Sequence, residues 1–142
     1  MTIPHEYRIN DSKSIKEFSK KTLSNYLIKD VLNVFNKALL SCKLEESCNW
    51  CFELLVSGQY DKFWDRVFSI TYKNININNP KLPSFLLKRY QKFCNYYEKY
   101  ENKLELRNNQ VIRNMFCEIC CIICHSVKLK QIGFAKIKDD DF

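Results

Sequence analysis

At 142 residues and 17.1 kDa, with 46% hydrophobic and 27% charged residues, the chain has room for one domain with a real core and is too apolar for disorder along its whole length. Its net charge of +7 and pI of about 9.0 favour polyanionic partners, nucleic acid or acidic protein, although the lysines are spread along the chain and not gathered in one block. With only 2 Gly there is no G-x-G-x-x-G, Walker A or G-x-S-x-G string, which argues against nucleotide hydrolysis and dinucleotide chemistry, and no apolar run approaches the ~20 residues that a bilayer span needs.

In chain order, residues 1–20 are polar with scattered apolar side chains and read as a flexible lead-in, without the apolar core of a signal peptide. A single α-helical domain is expected over residues 21–126. Its first helix is predicted from Ser24, as cap, to about Cys42, with Leu27, Val31, Val34, Phe35, Ala38 and Leu39 on one face. A second starts near Leu44 with Glu45 and Glu46 in its first turn, where acids complement the helix dipole. Its apolar stripe is Cys48, Cys51, Phe52 and Leu55, with Trp50 and Leu54 alongside, and Gly58 stands where a left-handed cap belongs. Asp61 opens a third helix through Phe63, Trp64, Val67, Phe68 and Thr71.

The Asn-Ile alternation from Lys73 to Pro80 is short and ends in Asn-Pro, which favours a loop with Ile75 and Ile77 tucked inward. Pro83 suits the first turn of a fourth helix carrying Phe85, Leu86, Tyr90, Phe93, Tyr97 and Tyr100. Asn102 to Asn109 reads as a charged connector. The fifth helix holds Val111, Ile112, Met115, Phe116, Ile119, Ile122 and Ile123, is apolar on most sides, and belongs at the centre of the bundle. Residues 127–142 form a basic-then-acidic tail that stops without a structural signal, as a fragment or a truncated reading frame would. The fold class expected is all-α, a compact bundle of about five helices.

The 8 Cys, with no secretion signal, are expected as reduced thiols. Cys117, Cys120, Cys121 and Cys124, ahead of His125, sit at three- and four-residue spacing inside a helical pattern, as do Cys48 and Cys51. Zinc knuckles need a tight turn, so these thiols read as small core residues, with no metal and no cofactor. Were a metal present, Cys48, Cys51 and His125 would join the ligands. His125 closes the fifth helix, where an imidazolium suits the dipole, and His5 lies in the lead-in. No triad or carboxylate dyad is arranged locally; Glu45/Glu46 and Asp61/Asp65 read as helix N-terminal acids. The candidate binding surface is Lys88, Arg89, Lys92 and Lys99, interleaved with Tyr90, Phe93, Tyr96, Tyr97 and Tyr100, where aromatics would stack on bases and cations meet phosphates.

The strings Glu46-Ser-Cys-Asn-Trp50, Glu53-Leu-Leu-Val-Ser-Gly58, Phe63-Trp64-Asp65 and Asn76-Ile-Asn-Asn-Pro80-Lys-Leu-Pro83 together resemble an uncharacterised family of nucleocytoplasmic large DNA viruses, of mimivirus and phycodnavirus type. Leu106-Arg-Asn-Asn-Gln110 and Phe134-Ala-Lys-Ile-Lys138 extend the resemblance. An excess of Lys, Asn, Ile, Tyr and Phe, read from A/T-rich codons, accords with such a genome. Trp50 to Gly58 and Phe63 to Pro80 also resemble, more weakly, the helical collar of clamp-loader-type AAA+ proteins, without the ATPase motifs. The resemblance implies a viral protein inside the cell, in host cytoplasm, viral factory or virion. The function expected is a non-enzymatic interaction module, accessory to DNA replication or transcription, with a protein partner; the alternative is a basic nucleic-acid-binding protein. No membrane association is expected.

Overall fold

The computed structural model describes residues 18, 20–75, 79–126 and 128, and these form an all-α bundle. Helix α1 spans Ile28–Leu40, α2 Leu44–Val56, α3 Tyr60–Ile70, α4 Leu82–Lys99 and α5 Gln110–His125. A π-helical turn, Thr71–Ile75, extends α3, and a 3₁₀ helix, Lys103–Asn108, precedes α5. No helix is long and apolar enough to cross a membrane, among the described residues. His5 and the tail beyond Lys128 lie outside the described residues, as does Ile77.

Helix α1 starts three residues later than its periodicity predicts, with Leu27 and not Ser24 at the cap position. Ser24 does not cap it: its N–H and hydroxyl donate to the Glu53 carboxylate at 2.9 and 3.1 Å. Asn25, at φ 67°, turns the chain in the left-handed region that Asn tolerates. The loop is closed by Thr22 and Tyr26, whose backbone N–H and C=O pair at 2.8 Å. Just before it, Phe18 is buried, so the core reaches into the last residues assigned to the lead-in. The inner face of α1 is Ile28, Val31, Phe35, Ala38 and Leu39, while Val34 and Leu27, expected on that face, are exposed.

Helices α1 and α2 both end in a left-handed residue followed by a 6→1 hydrogen bond. At the end of α2 this is Gly58, at φ 72°, with Gln59 N–H donating to Leu54 O at 2.9 Å. At the end of α1 the position falls to Cys42, at φ 60°, with Lys43 N–H donating to Ala38 O at 3.0 Å. On α2 the buried residues are Ser47, Cys51, Leu54, Leu55 and Val56. Phe52 leaves the expected stripe and lies exposed under the Arg113 guanidinium, 5.4 Å from its ring. Ser47 touches Cys124 at the far end of α5, so α2 and α5 run antiparallel.

Among the described residues, two stretches expected as irregular are helical. The π-helical turn takes in Lys73, Asn74 and Ile75, and buries Ile75 fully. The supposed charged connector is the 3₁₀ helix, capped by the Asn102 side chain, which accepts from Leu104 N–H at 3.2 Å. It buries Leu104, Leu106 and Arg107. The Arg107 Nη1 donates to Val56 O at 2.8 Å, at the carbonyl end of α2, where a cation complements the dipole.

Asn109 caps α5, its Oδ1 accepting from Val111 and Ile112 N–H at 2.8 and 3.2 Å. Helix α5 packs against α1, α2, α4 and the 3₁₀ helix. Its Phe116 meets Phe63, Trp64 and Phe93. Of the residues expected at the core, Leu54, Phe116 and Ile119 are fully buried, whereas Trp50 and Phe68 are half-buried at its edge.

Candidate functional site

Helix α4 contributes least to the core, burying only Leu82, Leu86 and Phe93, so most of its circumference faces outward. Spacings of four and seven residues place Lys88, Lys92 and Lys99 on one exposed stripe. Arg89 lies at its edge, paired with Glu118 at 3.1 Å and lying over the Phe85 ring at 4.9 Å. The Lys99 ammonium stands 5.8 Å from the Tyr96 ring. The aromatic residues expected among these cations mostly turn the other way. Tyr90, Phe93 and Tyr97 face α3, and the Tyr100 hydroxyl accepts from Asn109 Nδ2 at 3.0 Å, leaving Tyr96 as the ring beside the stripe.

The opposite flank of α4 forms a cleft of about 470 Å³ with α3. Tyr60 and Trp64, one helical turn apart on α3, meet Tyr90, Phe93 and Tyr97 on α4. The rings are in serial contact: Trp64 lies 5.2 Å from Tyr90 and 5.7 Å from Phe93, and Phe93 lies 5.6 Å from Tyr60 and 5.9 Å from Tyr97. Tyr60 is fixed by donating its hydroxyl to Lys103 O at 2.8 Å, and burial pushes its phenol above the ordinary range. Asp61 and Glu98, both exposed, stand at the rim. A second depression of about 340 Å³ shares Asp61, Trp64 and Tyr90 and adds Asp65. The Trp64 indole N–H is buried and has no acceptor among the described residues. Asp61 is in the first turn of α3, as read from the sequence, whereas Asp65 lies in the middle of that helix and is not an N-terminal acid; Asp61 also borders this cleft, which no local pattern announces.

The cysteines form a second cluster. Cys117, Cys120, Cys121 and Cys124 lie on one uninterrupted helix, α5, but do not share one environment. Cys120 and Cys124 are buried, Cys121 is half-buried and Cys117 is exposed, which corrects the expectation of four core thiols. Across the α2–α5 seam, Cys48 interacts with Cys120 and Cys117, and Cys51 with Cys120. The hydrogen bond with Cys120, then burial, pushes the Cys48 thiol far up; burial above all raises Cys51, Cys117 and Cys124. At Cys120 the Cys48 contact lowers the value, yet the Cys51 contact and burial carry it well above the usual range. Each of these thiols therefore holds its proton more firmly than a free cysteine. Among the described residues no group of three or more His, Cys, Asp or Glu is arranged to hold a metal ion. His125 is exposed, its Nδ1–H donating to Cys121 O at 2.8 Å within its own last turn, as its capping role requires.

Against known proteins, no family model matches this chain and no curated protein matches its sequence.

Proposed function

We propose that the chain is a non-enzymatic α-helical interaction module of a large DNA virus, accessory to replication or transcription, which docks a protein partner on its α3–α4 side. One observation carries this reading. Ring contacts run unbroken from Tyr72 through Phe68, Tyr90, Trp64 and Phe93 to Tyr97. The run surfaces at Tyr72, 59% exposed, and at Tyr90 and Tyr97, while Leu87 is exposed on the same helix. Exposed rings anchored on a rigid core are the side chains that dominate protein interfaces, because they bury a large area at small entropic cost. The viral assignment rests on the sequence resemblance. The test is capture of partners from infected cells, followed by reconstitution with the purified partner. A Tyr90→Ala/Tyr97→Ala chain that still folds should bind that partner at least about tenfold more weakly. Undiminished affinity removes the reading.

A second reading, direct nucleic-acid binding, is favoured by the exposed stripe of Lys88, Lys92 and Lys99, with Tyr96 beside it. Binding by this surface would weaken steeply with salt, whereas docking on the aromatic cleft would not.

A further inference from the structure

We propose that the α3–α4 cleft is a binding site for an organic cation, the ammonium or guanidinium end of a basic side chain on the partner polypeptide. The inference rests on the reading of this side as the docking face and names what that face recognises. Three features of the cleft converge on a cation.

The first is charge. The chain as a whole carries +7, yet no lysine or arginine lines the cleft, and the charged groups at its rim are Asp61 and Glu98. Two carboxylates on the lining favour a positive guest, and the Lys103 ammonium beside Tyr97 and the Arg107 guanidinium near Tyr60 offset part of that field. The second is the wall. Tyr60, Trp64, Tyr90, Phe93 and Tyr97 present π-systems whose negative faces attract ammonium and guanidinium groups, most strongly where water is excluded. The chain already uses one of these rings in that way: the Lys103 ammonium stands 4.4 Å from the centre of the Tyr97 ring. The third is capacity. A volume of about 470 Å³ is in the range of ligand pockets and admits an extended basic side chain. Helix α3, one residue beyond the Gln59 cap, sets Tyr60, Asp61 and Trp64 along one wall, so rings and carboxylate approach the same guest.

The experiment uses the full chain carrying Trp50→Phe, so that Trp64 is the fluorophore. Two pairs of probes are titrated: choline against its neutral isostere with carbon in place of nitrogen, and a capped peptide with one central lysine against the same peptide with norleucine. The lysine peptide should quench or shift Trp64 emission saturably, and both cations should bind about tenfold more tightly than their neutral partners. In the wild-type chain, the lysine peptide should also slow thiol labelling of Cys94, which lines the cleft, and leave that of the distant Cys42 unchanged. Glu98→Gln and Tyr97→Ala, each checked for an unchanged helical spectrum, should each weaken cation binding at least about threefold.

Equal affinity for charged and neutral probes, or no saturable response, overturns the cation site. Binding of choline without the lysine peptide overturns the assignment to a polypeptide side chain. If cations fail to bind while partner affinity still depends on Tyr90 and Tyr97, the docking reading stands and this inference falls; if partner affinity is also indifferent to those rings, both fall.

Discussion

The rings of Phe63 and Phe116 stack with centroids 3.9 Å apart and planes 7° from parallel, both fully buried, and so tie α3 to α5 across the middle of the bundle. Trp64, Phe93 and Phe35 close around the pair edge-on or tilted, so a single aromatic cluster joins α1, α3, α4 and α5. The cleft on the outside of α3 and α4 is the outer surface of this same cluster, with Trp64 belonging to both.

Truncating Phe116 to Ala removes the hub of that cluster. The loss of transfer energy plus the cavity left between four helices should cost about 3–5 kcal/mol in urea unfolding. Phe116→Leu, which keeps most of the volume, should cost clearly less. A loss below about 1 kcal/mol for the Ala variant would place Phe116 outside the core.

Arg107 is 1% exposed and gives Nη1–H to Val56 O at 2.8 Å. Replacement by Ala leaves a void and strips the carbonyl end of α2 of its donor, with an expected cost of about 2–4 kcal/mol. Lys should rescue only part of this, because an ammonium on a flexible stem does not reproduce the planar fork. Equilibrium unfolding of the three chains checks the order wild type, Lys, Ala.

The two helix ends in the left-handed region should respond in opposite ways. Gly58→Ala forces a Cβ into φ 72° and should destabilise by about 1 kcal/mol. Cys42→Gly relieves the same strain at φ 60° at the expense of a freer unfolded chain, so stability should hold or rise. A loss at Cys42→Gly comparable to that at Gly58→Ala would refute the strain argument.

Thiol chemistry should sort by environment. Exposed Cys42 should label quickly, Cys117 more slowly because its thiol is raised although it is exposed, and buried Cys51, Cys120 and Cys124 only on unfolding, as read by mass-resolved labelling. The raised thiols also set a pH dependence. A folded chain whose Cys48, Cys51 and Cys120 hold their protons above the ordinary 9.0 binds more protons than the unfolded chain in that range. Stability on their account is therefore flat below about pH 9 and falls as pH rises beyond it. Chelators should leave the melting temperature unchanged; a chelator-dependent loss of fold with stoichiometric zinc would overturn the thiol reading.

Reversing the charge of Lys88, Lys92 and Lys99 tests the basic stripe. If these side chains meet phosphates, polyanion affinity should collapse and the salt slope flatten by about one unit for each phosphate that a replaced lysine had neutralised. Unchanged binding, or none by the wild type at low salt, leaves the protein-docking reading alone.

The helices were legible because their causes lie a few residues apart. Apolar spacing marks α1, α3 and α5, acids open α2, Pro83 sits in the first turn of α4, and Gly58 supplies the left-handed end that most side chains resist. Which side of each helix is buried, and what lies beside it, depends on partners far along the chain. Ser24 has the chemistry of a helix cap but is held by Glu53, 29 residues away. Cys120 and Cys117 share a spacing pattern, yet one faces the interior of the α2–α5 seam and the other its edge. The Lys103–Asn108 segment looks like a solvated connector until Val56 O takes the Arg107 guanidinium. The aromatic cleft exists only because α3 and α4 pack side by side; neither helix carries more than one wall of it. Local sterics and hydrogen bonds select the helix, whereas burial selects its face, and burial is a property of the assembled bundle.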